Sequence, residues 1–361
     1  MMSSAADSSS PKKVLITGIT GQDGSYLAEQ LVEQGDEVWG LVRKMPGPDS
    51  WIAPLLQPQP GGQPRVQLRV DDLRDTQSLR GIMDQICPDE VYHLAAQSHI
   101  HLSYQTAEQT TDVIALGTLR LLEAMKEFCP QSRFLLASSS EIFGEPREFP
   151  QTEETPMAPR NPYGIAKSFA TSLVRCYRSQ YGMFAVNAIC FNHESPRRGR
   201  SFVTRKITRG ACRIRWGLEE SLSLGNLDAR RDWGFAGEYV EGMRMCLRAD
   251  QPDDYIFATG KTLTIREFCS EVFSYLGMSL TWHGQGVDET GVDQDGIVRV
   301  KVDPQFYRPH DTNVLVGNPA KAERVLGWRA KVGAPELVRI MCDADLDLER
   351  PRSPVSVPQN G

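Results

Sequence analysis

The sequence predicts an α/β fold: a Rossmann-type, doubly wound parallel sheet with a smaller C-terminal α/β part. Two observations carry this. Short apolar strands alternate with helices over residues 13–190, and a turn with glycines three apart joins the first strand to the first helix. At 361 residues the chain is also long for one compact core, so a large domain with a smaller companion is expected.

The elements follow in order. "KVLITG" is a short apolar strand, and "GSYLAEQLVEQG" a helix with Leu27 and Leu31 one turn apart and Gly35 as its stop. "EVWGLVR" is the second strand. "RVQLRV", alternating Val66, Leu68 and Val70 with polar residues, is the third. Between them, residues 45–64 are rich in proline and glycine and read as an irregular excursion. "LRGIMDQI" is helical, "EVYHLAA" a fourth strand, and Thr111–Phe128 a helix with Leu116, Leu119, Leu122 and Met125 at core spacing. "RFLLASS", the helix "YGIAKSFATSLVRCYRSQYG" and the strand "FAVNAICFN" complete the large domain.

Domain bounds follow from this pattern. Residues 12–190 form the dinucleotide-binding domain, to which 232–258 returns. Residues 191–231 and 259–349 form the smaller domain, where "KAERVLGW" is also expected. Residues 1–11 and 350–361 are polar Pro/Ser-rich tails.

Composition narrows the function. A hydrophobic share of 40% with 24% charged residues is that of a soluble globular protein, and a net charge of −6 argues against nucleic acid as the partner. The eight cysteines show no CxxC pair and mostly sit in apolar runs, which reads as free thiols in a reducing compartment. No secretory leader and no run of roughly 18 apolar residues is present, so the expected location is cytoplasmic, away from membranes. The six histidines show no metal-ligand spacing beyond His99 and His101, which read as loop residues, so no metal is expected.

The turn after the first strand places Gly18, Gly21 and Gly24 at i, i+3 and i+6. In a strand–turn–helix setting such glycines admit a left-handed backbone and let a pyrophosphate approach the helix N-terminus. At the end of the second strand an NAD enzyme places an acid for the ribose diol. Arg43 and Lys44 stand there instead, and cations suit the 2′-phosphate of NADP. Asp72 and Leu73, after the third strand, fit the adenine edge. Leu94, Ala95, Ala96, Gln97 and Ser98, after the fourth, fit a backbone cradle for the nicotinamide ribose.

After the fifth strand comes a hydroxyl-rich end with a carboxylate, "SSSEIFG", and then "NPYGIAK". Tyr163 and Lys167 are one helical turn apart on one face. A lysine charge there favours a tyrosinate, which can take a proton from a carbinol while hydride leaves for the cofactor; Ser139 holds the same hydroxyl. Glu141 adds a second base. A plain dehydrogenase or 4-epimerase has no use for it, whereas a sugar dehydratase needs one to remove the C5 proton of a 4-ketone and return a proton to the departing C6 hydroxyl.

These segments, with "FNHESPRRG", "FVTRKI", "RRDWGFAGEYV" and "DPQFYRP", resemble the GDP-mannose 4,6-dehydratases, a family of extended short-chain dehydrogenases/reductases, over residues 12–345. The resemblance implies Ser139, Glu141, Tyr163 and Lys167 as catalytic residues. It implies NADP contacts at Gly18, Ile19, Thr20, Gly21, Gln22, Asp23, Arg43, Asp72, Leu73, Leu94, Ala95, Ala96, Gln97, Ser98, Lys167, His193 and Arg198. Nucleotide-sugar contacts fall on Asn192, Val203, Lys206, Arg231 and Arg308, whose cations suit a diphosphate.

The implied substrate is GDP-mannose, the implied cofactor NADP, and the implied assembly a homodimer or homotetramer. The chain departs from the family at Ser139, where a threonine is usual, at Gln109, where a tyrosine contacts the cofactor, and in residues 45–64, which replace an Arg/Ser-rich stretch used in the family's tetramer. Nothing in the sequence sets the hexose. An epimerase, a 4-reductase, a dehydratase of a modified mannose and a non-catalytic NADP sensor remain alternatives.

Overall fold

The computed structural model describes residues 10–58, 62, 64–307 and 314–351. In it, β1 (Lys13–Thr17), β2 (Glu37–Val42), β3 (Val66–Val70), β4 (Glu90–His93), β5 (Arg133–Ser139), β6 (Ala185–Cys190) and β7 (Asp254–Phe257) pair in parallel throughout. The spatial order is β7-β6-β5-β4-β1-β2-β3, so the winding reverses between β1 and β4. In such sheets ligands bind at the C-terminal strand ends beside that reversal.

Two helical layers cover the sheet: α1 (Gln22–Glu33) and α5 (Ala236–Arg248) on one face, α2 (Thr76–Ile86), α3 (Gly117–Phe128) and α4 (Pro162–Tyr181) on the other. Successive strand side chains point to opposite faces. Val14 and Ile16 accordingly pack with Leu27, Leu31, Val240 and Met243, while Leu15 packs with Leu79, Met83, Leu122, Met125, Ala170 and Val174. The central strands are covered on both faces, which is why they read as apolar runs, while the edge strand β3 is exposed at Arg69 and Val70 and alternates.

The run expected as one helix from Thr111 begins earlier and is not regular. A short helix, Ala107–Thr111, leads into a π-helical turn at Asp112–Leu116 before α3 starts. Helix α4 has a local reason at each end. Asn161 caps it by accepting from the Gly164 N–H at 2.8 Å, Pro162 occupies the first turn, and Gly182 ends it at φ +65°.

By internal contacts, the chain falls into two units. The first comprises the described residues up to His193 with Gly234–Lys261 and Leu315–Lys331. The last segment, expected in the smaller domain, joins the first unit through Trp328. Its indole stands edge-on to Tyr239 and Phe257, with ring centroids 5.5 and 4.7 Å away, and donates to the Glu238 carbonyl at 2.8 Å. A buried indole needs both the apolar contact and a partner for its N–H. Helix α6 (Ala320–Leu326) precedes it.

The second unit comprises Glu194–Trp233, the described part of Thr262–Val314, and residues 332–351. Its sheet runs Thr281–His283, Thr290–Val292, Val298–Val302, Leu222–Leu224, antiparallel except for the last pairing. The helices Val203–Arg215 and Ala334–Leu348 are tied by charge. Arg205 pairs with Asp345, which also accepts from the Thr208 hydroxyl at 2.8 Å, and Arg209 and Arg213 both reach Glu349. Arg205 and Asp345 are 4% and 0% exposed, so the pair is desolvated and each charge depends on the other.

Asp345→Ala should therefore lower unfolding stability by about 3–5 kcal/mol in denaturant titration, because it leaves a buried guanidinium without its counter-charge. Replacing both partners with apolar residues of similar size should recover most of that loss.

Candidate active site

The first site element is the turn from β1 to α1. Gly18 has φ +76°, and a Cβ there would lie 2.8 Å from the Ala95 amide nitrogen. At Gly24 a Cβ would lie 2.3 Å from the Gly18 carbonyl oxygen. The two glycines thus bring the α1 N-terminus and the backbone after β4 against the turn. The cap residue Gly21 offers no side chain to the first-turn amides of α1. A helix N-terminus framed by bare backbone suits a pyrophosphate, so the residues present fit a dinucleotide. Ile19 is fully buried in the core and offers only its backbone; Thr20 is exposed.

Gln22, Asp23 and His193 are tied together. His193 faces the Phe191 carbonyl through Nδ1 at 2.7 Å and the Asp23 carboxylate through Nε2 at 2.9 Å, and Gln22 donates to both Asp23 and the His193 carbonyl at 3.0 Å. The imidazole stacks on Tyr239 at 4.7 Å. Arg43 is exposed just past β2, where the sequence places it. Asp72 turns back on Arg74 through bonds of 2.7 and 2.9 Å, which hold its carboxyl below the usual range. Leu73 is buried, and the backbone of Leu94 and Ala95 donates to Thr17 at 3.2 Å. Ala96, Gln97 and Ser98 continue that segment.

The second element is the end of β5 with the start of α4. Ser139 is the last residue of β5, and its hydroxyl accepts from the Glu141 N–H at 3.3 Å. Glu141 sits in a single 3₁₀ turn, Ser140–Ile142, where its Oε2 accepts from the Asn161 amide at 2.8 Å. Tyr163 and Lys167 lie in the first two turns of α4, 8% and 2% exposed. The Lys167 ammonium lies 5.9 Å from the Tyr163 ring centroid and donates to the Ala137 carbonyl of β5. Burial pushes its pKa down to about 8, against smaller opposing effects of Cys190 and Asp23. The neighbouring His93 is driven to about 3 by burial and by the Lys167 charge, and stays neutral.

The first unit therefore holds Ser139, Glu141, Tyr163, Lys167, Asn192, His193 and the glycine turn. Arg198, Val203, Lys206 and Arg231 belong to the second. There Arg198 pairs with Glu194 at 3.2 Å and covers the Phe202 ring, Val203 opens a helix, Lys206 stands over Phe306 at 4.1 Å, and Arg231 donates to the Arg230 carbonyl. Arg308 lies outside the described residues. Sequence reading missed Asn161. Its signal was an asparagine directly before Pro-Tyr, which announces a helix cap and gives no hint of a second partner.

No helix among the described residues is long and apolar enough to cross a membrane, and none of their His, Cys, Asp and Glu side chains cluster in threes to hold a metal. Six of the free cysteines are buried; Cys87 and Cys176 are exposed.

The Lys167 shift has a sign that can be tested. The unfolded chain holds this proton up to the ordinary 10.5, and the folded chain releases it near 8. Between those values folding releases a proton, so stability contributed by this group rises with pH; below the lower value the cost of burying the charge is constant. Against Lys167→Met, the ligand-free wild type should gain on the order of 3 kcal/mol across that window. Denaturant unfolding of both proteins at a series of pH values measures it.

The chain is similar to known proteins over most of its length. A family model described as GDP-mannose 4,6 dehydratase matches residues 15–341. The GDP-mannose 4,6 dehydratase 2 of Caenorhabditis elegans is 48% identical over 93% of this chain and 90% of its own. The GDP-mannose 4,6 dehydratase of Homo sapiens is 46% identical over 94% and 93%. Among solved structures, a UDP-glucose 4-epimerase of Thermus thermophilus in complex with NAD superimposes with a TM-score of 0.75 at 27% identity, covering 92% of this chain and 98% of that one.

Proposed function

The chain belongs to the GDP-mannose 4,6-dehydratase family, whose members are hydro-lyases, and on that premise we propose that it converts GDP-mannose to GDP-4-keto-6-deoxymannose with NADP as resident cofactor. The observation that carries the reading is Glu141 standing beside Ser139 at the end of β5, with Tyr163 and Lys167 on the helix that follows. A carboxylate in that place serves elimination of water; the other three residues alone serve only oxidation and reduction.

The bound nicotinamide supplies hydride acceptance at C4 and hydride return at C6. The protein groups do the rest. Ser139 holds the C4 hydroxyl and Tyr163 takes its proton, aided by the charge of Lys167, which is buried against Ala137 and so fixed in place. Glu141 removes the C5 proton, made acidic by the C4 ketone, and passes it to the C6 hydroxyl, which leaves as water. When hydride arrives at C6 the resulting enolate takes a proton at C5, which balances the proton Tyr163 took from the C4 hydroxyl and now gives up. Gly18, Gly21 and the α1 N-terminus hold the pyrophosphate of the cofactor, and Arg43 its 2′-phosphate. The family resemblance assigns Lys206 and Arg231 to the diphosphate of the sugar nucleotide.

The partner is a second copy of the chain, seated on α3 and α4. Ile165, Phe169 and Cys176 form an exposed stripe on α4, and Leu116 is exposed just before α3. Apolar side chains repeated at helical spacing on an outer face favour association.

Glu141→Gln keeps shape and hydrogen bonding but removes the base. Formation of the product lighter by one water should fall by roughly two to four orders of magnitude, while oxidation at C4, which relies on Tyr163 and Lys167, persists and leaves reduced cofactor visible by absorbance. Full product formation by this variant would remove the physical ground for a dehydratase. Arg43→Glu should weaken NADP relative to NAD by about tenfold to a hundredfold in Kd, the worth of one charge-assisted bond; calorimetry with both dinucleotides reads the ratio.

A further inference from the structure

Asn161 makes two bonds, and only one of them is needed to start α4. Its side-chain oxygen accepts from the Gly164 N–H at 2.8 Å, and its side-chain amide donates to Glu141 Oε2 at 2.8 Å. The cap requires an acceptor, so the amide group is turned the only way that satisfies Gly164, and its N–H then faces the carboxylate. Aspartate or serine would cap the helix as well as asparagine does. What asparagine adds is the donor. At 7% exposure, that donor has little water to fall back on.

The main chain is fitted to the same purpose. A Cβ at Gly164 would lie 2.6 Å from the Glu141 carbonyl oxygen, so the first turn of α4 rests directly on the Glu141 backbone. Glu141 itself has only a one-turn 3₁₀ segment under it, too short to orient a carboxylate by helical packing. The orientation comes from α4.

We propose that Asn161 is a positioning residue: by engaging Oε2 it sets the plane and rotamer of the Glu141 carboxylate for proton transfer at C5. This rests on the reading of Glu141 as the base. Asn161 touches no reacting atom; it acts through Glu141.

The test uses Asn161→Asp, which keeps the cap and the shape while turning the donor into a second carboxylate. Its thermal midpoint should stay within a few degrees of wild type. Its kcat for dehydration should fall about 10²-fold with KM little changed, as misplacement of a reacting group does. The acid limb of its kcat–pH profile should move to higher pH, because two facing carboxylates compete for one proton. In the Glu141→Gln background the same change should cost no more than about twofold further, since the two residues act as one unit.

Asn161→Ser, which caps but is too short to reach as the amide does, should show the kcat loss without the shifted limb, and it serves should the Asp variant fail to fold. Wild-type kcat and an unshifted limb in Asn161→Asp would overturn the proposal, as would an equal loss in both backgrounds. If Glu141→Gln is itself fully active, the base reading fails first and the positioning role falls with it; if Glu141→Gln is crippled and both Asn161 variants are not, only the positioning role fails.

Discussion

A lysine ammonium buried against a strand carbonyl is the constraint around which the first unit is arranged. Lys167 is 2% exposed, and its bond to Ala137 fixes α4 to β5 at one register and one rotation. Burial disfavours the charged form, as the lowered pKa records, so the contact is not what a sequence selected for stability alone would place there. The rest of the helix compensates. Ala166, Ala170 and Val174 pack into the core beside it, and Asn161, Pro162 and Gly182 give it firm ends. Because the lysine is held, so is Tyr163 one turn earlier, and so is the cap residue whose other bond reaches Glu141.

The glycines solve a matching problem on the other side of the reversal in strand order. Backbone, not side chain, must come close at Gly18 and Gly24, since a Cβ at either would meet main-chain atoms. A side chain could flex away from such a contact; the main chain of the turn after β1 and of the segment after β4 cannot do so readily, because β1 pairs with β4 and the amides of Leu94 and Ala95 donate to Thr17. The requirement for glycine is local at Gly24, which meets the turn itself, and at Gly18 is set by the distant segment after β4.

In the second unit, apolar packing is joined by charge. Its closing helix buries Leu337, Val338 and Met341 and is also held by Arg205–Asp345 and by two arginines sharing Glu349. Buried pairs of this kind add little net stability, since desolvation offsets much of the attraction. Several of its cations are thereby committed. Arg205, Arg209 and Arg213 serve the fold, leaving Lys206 and Arg231 among the candidates for a diphosphate.

Local chemistry made much of this legible. Alternating strands and helices predicted the parallel sheet because strands covered on both faces read as apolar runs. The glycine spacing, the Arg43–Lys44 pair and Tyr163 with Lys167 are close in sequence, so each could be picked out in one dimension. The family motifs extended that reading over most of the chain. What the sequence could not decide were relations across distance. Leu315–Lys331 joins the first unit only because the Trp328 indole finds Tyr239, Phe257 and the Glu238 carbonyl there. The π-helical turn at Asp112–Leu116 has no signal in a run that is helical by composition. Asn161 went unread, since its second partner lies twenty positions earlier on another element. Period and spacing are properties of the chain, so the sequence determined the elements and the reactive types. Which side chain turns toward which carboxylate depends on how those elements pack, and only the tertiary structure decided that.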